Sequence, residues 1–283
     1  MPKTHICCAR PEGPPQTMTQ IHPRCRAFTL IELLTVIAII AILAVAVAVN
    51  AGPFMKNAQM IQGLNNMKQI GTGVLAYAAQ HDSELPTEGV EHPTVGTGPG
   101  AADATAWYNE GVKLAGGKGL YELNSPSDFY QKGNPLFVPG AAYKSKATIL
   151  LGISMNSLLR KDANGQLPDS SIRLSNFQAL SRTVLLLESG VPGEAPLPGQ
   201  SGGDYDGGSK GGPRNIVARY KRPNTSNLAL LRDAPVNILF GDGHAESLPA
   251  KDVITSGGGA YFPQIGDNAE GKVCWTLDPE IQP

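Results

Sequence analysis

Residues 24–50 read RCRAFTLIELLTVIAIIAILAVAVAVN, and one carboxylate, Glu32, stands near the start of an otherwise apolar run. From 28 to 49 the only polar members are Thr29, Glu32 and Thr35. As a helix rising about 1.5 Å per residue the run reaches roughly 33 Å, enough to cross a bilayer. It is too long for the apolar core of a cleaved secretory signal, and VAVNAGPF lacks the small-residue cut site expected after one. A plain anchor explains the length and leaves Glu32 unexplained, because acidic residues in spanning helices are costly, and are as a rule paired and functional. Arg24 and Arg26 lie on the amino side, which orients the carboxyl side out of the cytoplasm. Glu32 is about 6 Å along the helix from Phe28, so a cut between Ala27 and Phe28 would create a new ammonium group at nearly the same depth. In a bundle of staggered identical helices, one copy's Glu32 then meets the next copy's amino terminus.

The rest of the chain bounds the function classes. With 283 residues, 17% charged residues and a formal net charge of -1, it has no clustered basic surplus of the kind that nucleic-acid binders carry. Gly (33) and Pro (23) predict long loops. Cys7, Cys8 and Cys25 precede the apolar run, so removing residues 1–27 leaves Cys274 alone and permits no intramolecular disulfide.

After the run, Gly52 and Pro53 predict a helix break or kink. Helical spacing then resumes through Phe54, Ala58, Ile61, Leu64, Met67, Ile70, Val74 and Tyr77, a stripe suited to packing on a sheet. HDSELP at 81–86 predicts its end. Residues 87–146 read as a long irregular excursion with one short helix near 105–114. Strands are predicted at 147–155, 183–188, 216–220, 236–240, 245–248 and 272–277, and residues 192–213 read as loop. Helix first and strands afterwards imply an α+β head with an antiparallel sheet. The organisation is then a leader at 1–27, a membrane helix at 28–52, an amphipathic stalk at 53–85 and a β-rich head at 86–283. VNILFGDGHAESL at 236–248 runs into and out of a tight turn at Asp242-Gly243, a hairpin signal.

AFTLIELLTVIAIIAIL at 27–43 closely resembles the amino-terminal segment of type IV pilins and type II secretion pseudopilins. The shared features are a basic leader, a cut before Phe, a Glu at the fifth mature position and a hydrophobic helix. Ala27 stands where that family commonly has Gly, and the leader is long for it. The body resembles the prepilin-type group with a His followed nine residues later by Asp-Gly: Asp242 and Gly243 match, NNMKQIG at 65–71 and SMN at 154–156 add to the likeness, and Arg232 replaces the His. The resemblance implies a long helix bearing a globular head, cleavage after Ala27 by a prepilin peptidase, N-methylation of Phe28, and a non-enzymatic filament subunit. Its implied partners are other pilin or pseudopilin subunits and an inner-membrane assembly platform, with no nucleic acid. The rival reading keeps the anchor and gives the head a glycan or a secreted substrate to recognise.

Other candidate chemistry is weaker. GQSGG at 199–203 fits the pattern of a hydrolase nucleophile at Ser201, without the strand and helix that such a turn requires. GTGVLA at 71–76 mimics a dinucleotide fingerprint inside a helical pattern. Asp204 and Asp206 form half of a calcium loop, and the resemblance to major pseudopilins makes Ca2+ the one candidate cofactor; solvated loop carboxylates are the default. Asp242 with His244 reads better as turn chemistry than as a metal pair, and His81-Asp82 better as helix termination. Cys274 reads as a buried thiol in a strand.

Overall fold

The structure is a computed structural model and describes residues 29–100, 103–131, 133–143, 147–160, 171–197, 200–225, 227–254 and 273–277. Two compact units divide the chain, Met1–Val49 and Asn50–Pro283. Helix α1, Leu30–Gln80, contributes to both. It continues through Pro53, so the predicted interruption does not break it, although Pro53 has no N–H to donate to the preceding turn. It ends as HDSELP predicts: Asp82 and Ser83 take left-handed φ values of 51° and 65°, and the Ser83 N–H reaches back to the Ala78 carbonyl at 2.9 Å. That is the six-to-one bond of a Schellman cap, here without glycine.

Five strands form one sheet in the order β3-β1-β2-β4-β5. They are β1 (Ile153–Asn156), β2 (Val184–Glu188), β3 (Lys210–Gly211), β4 (Pro235–Phe240) and β5 (Ala245–Pro249). The sheet is mixed: β1 and β3 are parallel, correcting the expectation of a wholly antiparallel one. The first predicted strand shortens to its last residues, and β3 arises inside the stretch predicted to be loop. At 216–220 there is only an isolated bridge, Ser189 with Ile216, because the polar side chains that follow turn inward toward Glu188. At 272–277, where 272 lies outside the described residues, Cys274 makes one bridge to Thr183.

Both faces of the sheet are covered, which is why β2 reads VLLLE without alternation. One face packs on α1 through Met67, Ile70, Val74 and Ala78, together with Leu186 and Leu239. The other packs Val184, Leu187, Ile238 and Phe240 under Val253 and Trp275, with Trp275 donating to the Val253 carbonyl at 2.9 Å. The short helix expected near 105–114 is present as a π-turn, Trp107–Gly111, leading into α2, Val112–Leu114. It is no loose excursion: Trp107 and Tyr108 are fully buried. A Cβ on Gly73 would overlap the Gly111 carbonyl, so a bare helix surface lets this turn lie directly on α1.

Candidate functional site

The apolar run fulfils its helical expectation. Leu30–Ala48 is the one helical segment among the described residues long and apolar enough to cross a membrane, and none of it is buried within the chain. Its Ile, Leu and Val side chains stand open from Leu30 to Val47.

Glu32 sits in the first turn of α1. Thr29 N–H and Thr29 Oγ1–H both donate to Glu32 Oε2 at 2.9 Å, and the Glu32 N–H donates to Thr29 Oγ1 at 3.2 Å. Each residue thereby satisfies the other's backbone, a capping box. The carboxylate also lies at the positive end of the helix dipole, where negative charge is favoured. Sequence reasoning missed Thr29 as a partner for Glu32. The signal was the Thr-x-x-Glu spacing ahead of an apolar run. Oε1 accepts no hydrogen bond among the described residues. Ala27 and Phe28 lie outside the described residues.

The remaining candidates resolve into local structure. Asp242 closes the β4–β5 hairpin: its Oδ1 accepts from the His244 N–H at 3.1 Å, while Gly243 takes φ 87° and donates to the Phe240 carbonyl. His244 contacts the same carboxylate oxygen through Nδ1 and stacks on Phe240 at 4.3 Å. Arg232 ends the short helix Leu228–Arg232, and its buried Nε has no hydrogen-bond partner among the described residues. Asp204 accepts from the Ser201 N–H at 2.7 Å and Asp206 from the Gly208 N–H at 2.9 Å. Neither belongs to a group of three or more potential metal ligands among the described residues. Ser201 caps a short 3-10 turn, Gly202–Asp204, and its Oγ accepts from the Gly203 N–H. GTGVLA lies wholly within α1, and His81 stacks on Tyr77 at 3.8 Å beyond the helix end.

A cleft of about 490 Å³ lies along 116–135, lined by Lys118, Glu122, Asn124, Asp128, Gln131 and Asn134 among others. Several of its polar groups are engaged by the loop itself: Glu122 accepts from the Gly119 N–H, Asp128 from the Ser125 N–H, and Asn134 donates to the Phe129 carbonyl.

The residues carrying the family likeness also have structural work. Asn66 Nδ2 donates to the Phe137 carbonyl at 2.9 Å, and Asn156 Nδ2 donates to the carbonyls of Val184 and Trp275 at 2.8 Å. The buried group at Glu188, Arg219 and Glu194 had no signal in the linear sequence, since its members come from separate segments.

Comparison with known proteins adds one finding. Residues 22–48 match the family model of the prokaryotic N-terminal methylation motif, the prepilin signal of type IV pilins and pseudopilins. No curated protein and no solved structure matches the chain. The signal and the single apolar helix fit anchoring in the inner membrane. This motif marks structural pilin-like precursors, and over residues 22–48 the chain is similar to them.

Proposed function

We propose that the chain is a structural subunit of a type IV pilus or type II secretion pseudopilus. It enters the inner membrane with its head outside the cytoplasm, is cut after Ala27 by a prepilin peptidase, is N-methylated on Phe28, and polymerises through α1. The observation that carries this reading is an unburied apolar helix whose first turn holds Glu32 inside a methylation motif. In the single chain Thr29 satisfies one carboxylate oxygen. The other receives the amino terminus of a neighbouring subunit and fixes the stagger between helices. The apolar side chains from Leu30 to Val47 exchange lipid for the same side chains of other subunits, so close packing holds the polymer together.

The head needs no cofactor for this role, and Asp204 and Asp206 serve as turn caps. Calcium added to the purified protein is expected to leave its unfolding midpoint unchanged, and a rise abolished by Asp204→Asn would revive the calcium loop.

The deciding experiment is intact mass spectrometry of the protein from cells with and without the peptidase. The expected product begins at methylated Phe28 only where the peptidase is present; an uncut chain in its presence overturns the reading. Glu32→Gln is expected to leave cleavage intact and to abolish filaments seen by electron microscopy.

A further inference from the structure

Beneath α1 the head buries two carboxylates with one guanidinium. The side chains of Glu188, Arg219 and Glu194 are 0%, 3% and 6% exposed. Arg219 gives Nε and Nη2 to the two oxygens of Glu194 at 2.9 and 2.8 Å, a bidentate pairing. Only its Nη1 reaches Glu188, at 2.9 Å to Oε2. The fork is thus committed mainly to Glu194, and one negative charge is left in excess where water is excluded.

The other oxygen of Glu188 points at the helix. Oε1 accepts from the Tyr220 hydroxyl and from Asn237 Nδ2, both at 2.9 Å. Asn237 Nδ2 also donates to the Met60 carbonyl of α1 at 3.2 Å. A Cβ on Gly63 would overlap Glu188 Oε1, so the bare helix backbone lies against the carboxylate. Gly63 is the first buried residue of α1 among those described, and the cluster therefore stands where the helix first meets the head.

We infer that Glu188 is a proton-responsive clamp: one proton bound there removes the surplus charge and tightens the seat of α1 at Gly63. The groups that face the cluster come from several elements. Arg219 and Tyr220 belong to one segment, Glu194 and Tyr205 flank it, Tyr143 and Arg222 add their fields, β4 supplies Asn237, and α1 supplies the Met60 carbonyl. Burial pushes the hydroxyls of Tyr143, Tyr205 and Tyr220 upward, which keeps them neutral. Burial also raises the Glu188 carboxyl above its ordinary 4.5, against the opposing pull of Arg219, Asn237 and Tyr220. A carboxyl that holds its proton more tightly when folded adds stability at low pH, and that stability is lost as pH rises through the folded-state value.

This inference stands apart from the filament reading, because it concerns the head of the isolated chain. The full-length protein in detergent micelles is expected to gain about 2 °C or more in unfolding midpoint between about pH 8 and pH 5. Protection of the α1 amides around Gly63 against hydrogen exchange should rise with it. Glu188→Gln should remove this pH dependence. Glu194→Gln, which returns the whole charge of Arg219 to Glu188, should remove it as well and serves as the test if Glu188→Gln does not fold. A wild-type midpoint that is flat or falls over this range overturns the inference, and so do parallel profiles in the wild type and the variants.

Discussion

Helix α1 holds two apolar stretches with opposite surroundings. From Leu30 to Ala48 it carries Ile, Leu, Val and Ala with no glycine, and among the described residues these side chains stand exposed. From Gly63 onward it carries three glycines, and each lies where a neighbour comes too close for a Cβ: Gly63 on Glu188, Gly71 on Leu239 and Gly73 on the Gly111 carbonyl. Glycine inside a helix costs about 1 kcal/mol relative to alanine, so its clustering marks a surface shaped by a fixed partner. The amino-terminal stretch is not carved in this way. On the proposed reading its partner is lipid or another copy, and continuous branched side chains suit both. Between the two, Phe54 and Ile61 remain 72% and 55% exposed although they continue the apolar stripe, so periodicity alone does not say where packing begins.

The sharpest way to break this contrast is to fill a notch. Gly73→Val should destabilise the head by about 4 kcal/mol or more, since the obstacle is a backbone carbonyl and not a movable side chain. Chemical unfolding followed by circular dichroism measures it, and a loss below about 1 kcal/mol would mean that the turn at Trp107–Gly111 is free to shift. Truncating a buried side chain comes next: Ile70→Ala should cost about 3 kcal/mol in the same assay, from lost burial and the cavity left behind. At the hairpin, Asp242→Ala should cost about 0.5–1 kcal/mol, because its contacts are partly exposed and screened. The smallest effect on head unfolding belongs to the amino-terminal stretch, where Ile37→Ala with Ile40→Ala should change it by less than about 0.5 kcal/mol. The same double change is expected to impair filament formation, and a head that loses stability instead would erase the distinction between the two stretches.

How much of this was legible follows from where each signal lies along the chain. The apolar run, the end of α1 and the β4–β5 hairpin depend on residues close in sequence, and all three were readable. Glu32 announces itself as a charge out of place, while its partner Thr29 is marked only by the Thr-x-x-Glu spacing. The central strands were found with blurred ends. The segment at 216–220 has the apolar and aromatic look of a strand, yet Arg219 and Tyr220 are drawn inward to Glu188, a long-range demand that no local pattern records. Strand β3 was invisible for the complementary reason: two residues of a glycine-rich stretch become a strand only because β1 lies alongside to receive them. Trp107 and Tyr108 sit in the short helix read near 105–114, but their burial has no local signal, since the turn that carries them lies on α1 where Gly73 leaves room for the Gly111 carbonyl.

The parallel pairing of β1 with β3 has a consequence for the order of assembly within the head. Hairpin β4–β5 closes through a few residues, whereas Met155 meets Lys210 only after β2 and the loops beyond it have been laid down. Contacts between distant parts of a chain form slowly, because loop closure must precede the gain from pairing. Pulse labelling of amides during refolding should therefore find the hairpin protected early and the β3 edge last, leaving that edge as the final seam through which a newly made head reaches its native state.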